Sequence, residues 1–126
     1  MFLRKIMMIA VVILAAFACV YAADIAGKWT AQFDTQVGLQ KYVFEFKVDG
    51  TTLTGKALGN IAGAESVSDI QDGKINGEEI TFVEMQKYQG QEVRIVYKGK
   101  VSGDEIKFAR NVADMANEEF VAKRAK

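Results

Sequence analysis

A ten-residue pattern occurs twice in this chain, with its two copies 26 positions apart. Residues 73–82 have the sequence GKINGEEITF, and residues 99–108 have the sequence GKVSGDEIKF. Each copy has the pattern of a strand end, a tight turn (at Asn76-Gly77 in the first copy) and a new strand with alternating apolar residues. A type I′ turn requires positive φ at both central residues, which glycine and asparagine tolerate. The repeat therefore predicts two β-hairpins of the same design.

Outside the repeat, apolar and polar residues alternate with a period of two from Ile25 onward, interrupted by turn residues every eight to twelve positions. This pattern is typical of an all-β domain. We expect a bulge at Asp72-Gly73, a longer loop over the Gly/Ala-rich residues 59–66, and a loop or single helical turn over residues 111–117. The predicted strands cover residues 27–34, 40–48, 51–58, 67–75, 79–88, 91–101, 105–111 and 118–124.

Consecutive strands joined by short hairpins predict an eight-stranded, antiparallel, up-and-down β-barrel. Closure removes the exposed edges of the sheet, and eight strands enclose an interior that side chains fill or that holds one small ligand. An open β-sandwich is the alternative. Because each large apolar side chain that becomes buried contributes roughly 1.5–3 kcal/mol, a domain without disulfides is expected to fill most of its interior. The side chains expected on the inner face are those of Trp29, Phe33, Tyr42, Phe44, Phe46, Leu53, Ile80, Phe82, Val93, Ile95, Tyr97, Ile106, Phe108 and Phe120.

The N-terminal segment has the pattern of a secretory signal peptide. Two basic residues precede an unbroken apolar stretch over residues 6–17, and residues 20–22 supply small residues at positions −3 and −1 of a cleavage site. We therefore predict a signal peptide over residues 1–22, a β-barrel domain over residues 23–126, and a secreted or periplasmic location. The alternatives are a lipoprotein signal with Cys19 as the lipidated residue and an uncleaved anchor, and only these would bring the protein to a membrane.

Histidine is absent from all 126 residues, and the single cysteine, Cys19, lies within the expected signal peptide. These absences exclude Ser-His-Asp and Cys-His catalysis and the usual zinc sites from the mature domain. Loss of Arg4 and Lys5 from the 16 basic residues leaves 14 against 16 acidic residues, a net charge of −2, and no stretch concentrates Lys and Arg. We therefore expect no nucleic-acid partner, no metal and no other cofactor.

The Gly-Lys-Trp sequence at residues 27–29 resembles the start of the calycin barrels, which include lipocalins, fatty-acid-binding proteins and avidins. In those families an Arg or Lys of the last strand packs across the tryptophan and closes one end of the barrel. The resemblance implies this role for Arg124, which would contact Trp29, and Arg110 is the second candidate. A cation–π contact of this kind contributes roughly 0.5–2 kcal/mol.

Nearly the whole mature chain also resembles a group of small secreted bacterial modules. They share the Gly-Lys-Trp start, a segment similar to residues 34–55 and a hairpin similar to residues 102–108. Some of these modules are appended to secreted carbohydrate-active enzymes. The resemblance implies secretion and a polysaccharide context, and it brings no catalytic motif.

Glu84 is the polar residue that fits its predicted surroundings worst, because it falls on the inward alternation of the fifth strand. A buried carboxylate must be paired or reach water. In the interpretation that we favour, this strand twists out of the core and leaves Glu84 solvated. In the alternative, Glu84 contacts a ligand at one end of the barrel, beside Gln86 and Tyr88, with Arg94 or Arg110 as its counter-charge.

The sequence as a whole favours a secreted, non-catalytic binding or interaction module for a small polar or carbohydrate ligand. One alternative is an accessory hydrolase that uses Glu84 and Glu92 as a glycosidase-like pair. Such carboxyl groups lie about 5 Å apart in retaining enzymes and farther apart in inverting ones. The other alternative is a structural envelope protein without a small ligand. The sequence indicates neither the identity of the ligand nor the oligomeric state.

Overall fold

The structure, a computed structural model that describes residues 25–125, consists of eight antiparallel strands in one closed barrel. Every strand pairs with the next one along the chain, and the last pairs with the first. The all-β up-and-down barrel is therefore confirmed, and the open sandwich is wrong. The strands are β1 (Gly27–Thr35), β2 (Gly38–Asp49), β3 (Thr52–Ile61), β4 (Ala64–Asn76), β5 (Glu79–Tyr88), β6 (Gln91–Ser102), β7 (Glu105–Val112) and β8 (Ala116–Arg124).

Two predictions from the N-terminal sequence concern residues that precede the described part of the chain. The expected signal peptide over residues 1–22, with its cleavage site, and the lipidation alternative at Cys19 both lie outside the described residues. Within residues 25–125, no helix is long and apolar enough to cross a membrane.

The two copies of the repeat form the β4–β5 and β6–β7 hairpins, as predicted, but with a different turn. The strands continue through Asn76 and Ser102, and the first turn residue is Gly77 or Gly103, each with a φ of 60°. The second turn residue, Glu78 or its counterpart Asp104, is not among the non-glycine residues with positive φ. A glycine at the first central position followed by a residue with negative φ is a type II′ turn, so the type I′ prediction is wrong.

The first glycine of each copy is required for close packing. At residue 73 a Cβ would collide with the carbonyl oxygen of Leu53, and at residue 99 it would lie 2.6 Å from the Phe108 ring. The bulge predicted at Asp72-Gly73 is present, because Asp72 has a φ of 52° and the β4–β5 register shifts at this point.

Two connections are shorter than the sequence predicts. Residues 59–66 do not form a loop, because β3 continues to Ile61 and β4 begins after the turn Ala62-Gly63, whose φ values are 50° and 92°. Positive φ at both positions makes this a type I′ hairpin turn, with alanine where asparagine is usual. Residues 111–117 are likewise mostly strand, and only residues 113–115 connect β7 to β8.

Aromatic rings fill the middle of the barrel. Phe44 lies at the centre, with its ring centroid 5.2 Å from that of Tyr42, 5.7 Å from that of Tyr97 and 5.5 Å from that of Phe108. All the side chains expected on the inner face belong to this core, with Phe33 and Val93 only partly buried. A barrel filled in this way leaves its ends as the places where a ligand could enter.

One end of the barrel, here called the capped end, is closed by the contact between Trp29 and Arg124. The indole Nε1 of Trp29 donates a hydrogen bond of 2.9 Å to the carbonyl oxygen of Ile25, and Arg124 Cζ lies 4.3 Å from the indole centroid. The Arg124 guanidinium also donates to Asp104 Oδ1 and to the carbonyl oxygen of Ala26. This is the arrangement that the calycin resemblance implies for Arg124.

The opposite end, here called the open end, carries the turns at residues 36–37, 62–63, 89–90 and 113–115. At this end β1 and β8 lie next to each other but are not joined by ladder pairs. The ladder between these strands comprises Trp29↔Arg124 and Thr30↔Lys123, both near the capped end. Farther along, the rings of Phe33 and Phe120 stack with centroids 4.1 Å apart, so side chains rather than backbone hydrogen bonds close the seam.

Candidate binding site at the open end of the barrel

A group of buried polar side chains lies inside the barrel, between the aromatic core and the open end. Its members, here called the polar cluster, come from β2, β4, β5 and β7, and they point inward because they occupy the same alternation as the core residues. They are Gln40 (4% exposed), Ser68 (6%), Glu84 (0%), Gln86 (5%) and Arg110 (3%). Within residues 25–125, no buried side-chain nitrogen or oxygen lacks a hydrogen-bond partner. The cluster is therefore a satisfied network, which rigidifies its surroundings.

Arg110 is fixed by three different groups. Its Nε donates to Glu118 Oε1 at 2.7 Å, one terminal nitrogen donates to the Tyr97 hydroxyl at 2.9 Å, and the other donates to Gln40 Oε1 at 2.8 Å. The guanidinium also lies over aromatic rings, with its Cζ 4.7 Å from the centroid of Phe33. Charge-assisted hydrogen bonds and ring contacts together hold this arginine in one orientation.

Glu84 is completely buried and is held by hydroxyl groups, so the interpretation that leaves it solvated is wrong. The Tyr97 hydroxyl donates to Glu84 Oε1 at 2.7 Å, and Ser68 Oγ donates to Oε2 at 3.1 Å. The Tyr42 hydroxyl lies 3.3 Å and 3.4 Å from the two carboxyl oxygens and accepts a 2.6 Å hydrogen bond from Gln86 Nε2. β5 stays in the core here because these partners replace the water that the carboxyl group loses.

Glu84 and Arg110 are linked through the Tyr97 hydroxyl, which donates to the carboxyl group and accepts from the guanidinium. The direct ion pair of Arg110 is with Glu118. The counter-charge that the sequence offered as Arg94 or Arg110 is thus Arg110, acting through one intervening hydroxyl.

Burial determines the protonation of this network. It raises the pKa of the Glu84 carboxyl, against the opposing effect of the hydroxyl hydrogen bonds and of the Arg110 charge. Burial, followed by the Glu84 charge, raises the pKa of Tyr42 to about 12 and also raises the pKa of Tyr97. Burial would lower the pKa of Arg110, but Tyr97, Tyr42 and Glu118 outweigh it and raise the pKa, so the guanidinium stays charged.

Above the polar cluster lies a cavity of about 470 Å³ that opens at the open end. Gln40, Gln86, Arg110 and Glu118 contribute to its lining, so the cavity reaches the buried network directly. A larger hollow of about 670 Å³ on the outer wall is lined mainly by exposed and half-buried residues such as Val43 and Val67. We regard the open-end cavity as the candidate site because it adjoins a fixed, buried charge.

The lining of this cavity is rich in glutamine. The chain contains seven glutamines, and five of them line the cavity: Gln36, Gln40, Gln86, Gln89 and Gln91. They come from β2, β5, β6 and the turns at residues 36–37 and 89–90, so the fold collects them from separate parts of the chain.

The structure places the residues singled out from the sequence at three different depths. Gln86, Tyr88 and Arg110 line the cavity, and Glu84 lies one layer deeper, beneath them. Arg94 is exposed and pairs with Met85 on the outward alternation, so it belongs to the outer wall and not to the cavity.

Glu84 and Glu92 are not brought together. In an antiparallel ladder, directly paired residues point to the same face of the sheet. Glu84 pairs with the buried Ile95, whereas Glu92 pairs with the exposed Lys87, so the two carboxylates point to opposite faces. Glu92 reaches only the rim of the cavity. The pair therefore lacks the facing geometry that the hydrolase alternative requires.

Several members of the site were not singled out from the sequence. Gln40 and Glu118 anchor Arg110, and Ser68 is a partner of Glu84. Gln40 lies two residues before Tyr42 on the inward alternation, which was the available signal. Ser68 is the second residue of the predicted fourth strand, whose start the structure places at Ala64, and Glu118 is the first residue of the predicted eighth strand.

Within residues 25–125, the His, Cys, Asp and Glu side chains form no group of three or more that could hold a metal ion. Comparisons with protein-family models, with curated proteins and with solved structures find no match for this chain.

Proposed function

We propose that this protein is a secreted or periplasmic, non-catalytic binding module that takes a small polar or carbohydrate ligand at the open end of its barrel. The observation that carries the proposal is the open-end cavity of about 470 Å³ with the fixed guanidinium of Arg110 in its lining. Ligand sites in proteins are typically concave and mostly apolar, with a few convergent polar groups that fix the orientation of the ligand.

The filled core supports an end-on site. The aromatic rings of the barrel interior leave the open end as the place where a ligand can contact buried polar groups, and those groups are already ordered by their own hydrogen bonds. A preorganised site loses little conformational entropy when it binds, which favours affinity for a small ligand. Because the aromatic core fills the barrel beneath it, the cavity suits one end of a ligand better than a long chain threaded through the barrel.

A calycin-like origin of the barrel is part of this proposal. The Gly-Lys-Trp start and the contact between Arg124 and Trp29 support it. Calycin-like barrels hold ligands in the interior or at one end, and the resemblance to modules appended to carbohydrate-active enzymes supports a glycan as the ligand. The secreted location rests on the signal-peptide pattern of residues 1–22.

A glycan array and a thermal-shift screen on the domain of residues 23–126 test the proposed function. Binding without turnover supports it. Turnover that Glu84→Gln abolishes would instead favour the hydrolase, and silence in both assays would favour a structural envelope protein.

The Arg110→Met variant tests whether the ligand binds in the open-end cavity, and Arg94→Met is its matched control. Both changes remove one arginine, but Arg94 lies on the outer wall. Binding that survives Arg110→Met in a folded protein would place the site elsewhere.

A further inference from the structure

From the charges and hydrogen-bonding groups of the open-end cavity, we infer that its ligand is uncharged and carries adjacent hydroxyl groups, with the Arg110–Glu118 pair as the anchor. This inference rests on the proposed function and specifies the class of ligand. It follows from three properties of the lining: its charge balance, the hydrogen-bond donors and acceptors that remain unused, and its apolar walls.

The charge balance disfavours charged ligands. Arg110 is already neutralised by Glu118, whose Oε1 lies 2.7 Å from Arg110 Nε. An anionic ligand would therefore meet a cation that is already paired with a carboxylate. A cationic ligand would have to approach the buried guanidinium. For either ion, loss of hydration inside the cavity would not be repaid by a free opposite charge.

The remaining hydrogen-bonding capacity matches hydroxyl groups. A guanidinium has five N–H groups, and Arg110 uses three of them on Glu118, Tyr97 and Gln40. Glu118 accepts the Arg110 bond on Oε1, and its second carboxyl oxygen is a further acceptor on a side chain that is 17% exposed. Neighbouring hydroxyls, each both a donor and an acceptor, can accept from the guanidinium and donate to the carboxylate at once.

The glutamines extend the same chemistry around the cavity. A carboxamide offers both donors and acceptors without a charge, as a hydroxyl-rich ligand requires. Gln86 uses Nε2 on the Tyr42 hydroxyl, and its carbonyl oxygen is the acceptor that it presents to a ligand. Five of the seven glutamines of the chain lie in this lining, and lysine does not contribute to it.

Apolar side chains form the rest of the wall and suit the C–H face of a sugar ring. Tyr88, which is partly exposed, adds an aromatic ring at the rim. The larger aliphatic contributors are Val37, Ile61, Val93, Ile95, Val112 and Met115.

An array of neutral, uronic-acid, sulfated and amino oligosaccharides, probed with the domain of residues 23–126, tests the inference. We expect binding to be confined to neutral members and to change little when salt is raised, because no net charge is matched. Preferential binding of acidic or amino members would overturn the inference and leave the proposed function standing. Silence of the whole array and of a thermal-shift screen with neutral polyols would end the proposed function itself.

The Glu118→Gln variant tests the anchor, with Glu119→Gln as its control, because Glu119 is the next residue of β8 and is exposed on the opposite face. Glu118→Gln leaves the Arg110 charge unbalanced. We expect it to bind neutral sugars about tenfold more weakly and to gain affinity for uronic acids. An unchanged ligand preference in a folded Glu118→Gln protein would contradict the assignment of the Arg110–Glu118 pair as the anchor.

The unmodified protein provides a second measurement that does not depend on the folding of a variant. Side-chain amide resonances of the five cavity glutamines should shift on titration with a neutral sugar from the array, and those of Gln32 and Gln71 should not. Shifts confined to Gln32 and Gln71 would place the ligand on the outer wall and contradict the inference.

Discussion

The two ends of the barrel each present an arginine to aromatic rings, but the two arginines differ in their partners and in what lies beside them. At the capped end, Arg124 covers Trp29 and bonds to Asp104 and to a backbone carbonyl, in a half-buried position. At the open end, Arg110 is buried among side chains and lines a cavity. A cation over an aromatic ring can thus either close one end of a barrel or provide a fixed polar group for a ligand.

The turns show the same contrast. The capped-end turns begin with glycines whose φ values are 62°, 60° and 60°, at Gly50, Gly77 and Gly103. Three of the four open-end turns instead place non-glycine residues at positive φ, which costs roughly 1–2 kcal/mol for an ordinary L-residue. These residues are Ala62, Gln89, Ala113 and Asp114, with φ between 50° and 57°. The capped-end turns are thus relaxed, whereas the open-end turns store backbone strain beside the cavity, a common property of binding sites.

The largest expected effect is on the capped end. Trp29→Ala removes a side chain that is completely buried and should lower the free energy of unfolding by about 3–5 kcal/mol. Urea denaturation monitored by far-UV circular dichroism measures this loss. A loss below about 1 kcal/mol would contradict the assignment of Trp29 as the structural closure.

A comparison of the two arginines should give the next largest difference. Arg110→Met removes a buried guanidinium and leaves the half-buried Glu118 without its cation, so it should cost about 3 kcal/mol of stability, whereas Arg124→Met should cost about 0.5–2 kcal/mol. Equilibrium unfolding of both variants under one condition checks the order. If Arg124→Met proved the more destabilising, the contrast between Arg124 at the capped end and Arg110 in the buried polar cluster would be wrong.

The Glu84 network predicts a pH dependence of stability. Burial raises the pKa of Glu84 in the folded state. The contribution of protonated Glu84 to the free energy of unfolding is therefore fully present below the unfolded pKa of 4.5, and it is lost as the pH rises through the folded pKa. The loss amounts to about 1.4 kcal/mol for each unit that separates the two pKa values.

Glu84→Gln has no such titration, so wild type should lose stability relative to it as the pH rises above 4.5. Urea denaturation of both proteins across a pH series measures the difference, and Glu92→Gln, at an exposed residue, is the control. Parallel stability profiles for wild type and Glu84→Gln would show that Glu84 does not titrate differently in the folded state.

The smallest effects concern the turns. Gly77→Ala should cost about 1 kcal/mol, because a Cβ at this position meets no atom within 4 Å and only the positive φ opposes it. Gln89→Gly should be neutral or stabilise by about 0.5 kcal/mol, because it relieves the same strain. Thermal unfolding of the two variants measures both shifts, and equal effects of the same sign would remove the contrast between the ends.

The architecture could be predicted from the sequence because it depends on local patterns. The alternation of residues such as Tyr42, Phe44 and Phe46 fixed the core face, and the repeated glycines fixed the hairpins. The turn at Ala62-Gly63 was missed because small residues resemble a loop when φ cannot be seen. The turn within the repeat was placed one residue too early for the same reason.

The candidate site was harder to predict because its members meet only across the barrel. Alternation places Glu84 inside, but its partners Ser68, Tyr42 and Tyr97 come from three other strands, so its solvation could not be judged from β5 alone. Gln40 shares the inward alternation of Tyr42, but no local pattern indicates which group Gln40 or Glu118 contacts. Their roles follow only from the position of Arg110 between them.

The β1–β8 ladder determines at which end of the barrel a second domain or a tether would be joined. The backbone N–H of Ala125 donates to the carbonyl oxygen of Lys28 at 2.9 Å, so the chain enters and leaves the barrel side by side at the capped end. A fusion partner or surface tether joined at either point would therefore stand behind the domain, and the cavity would face forward, unobstructed.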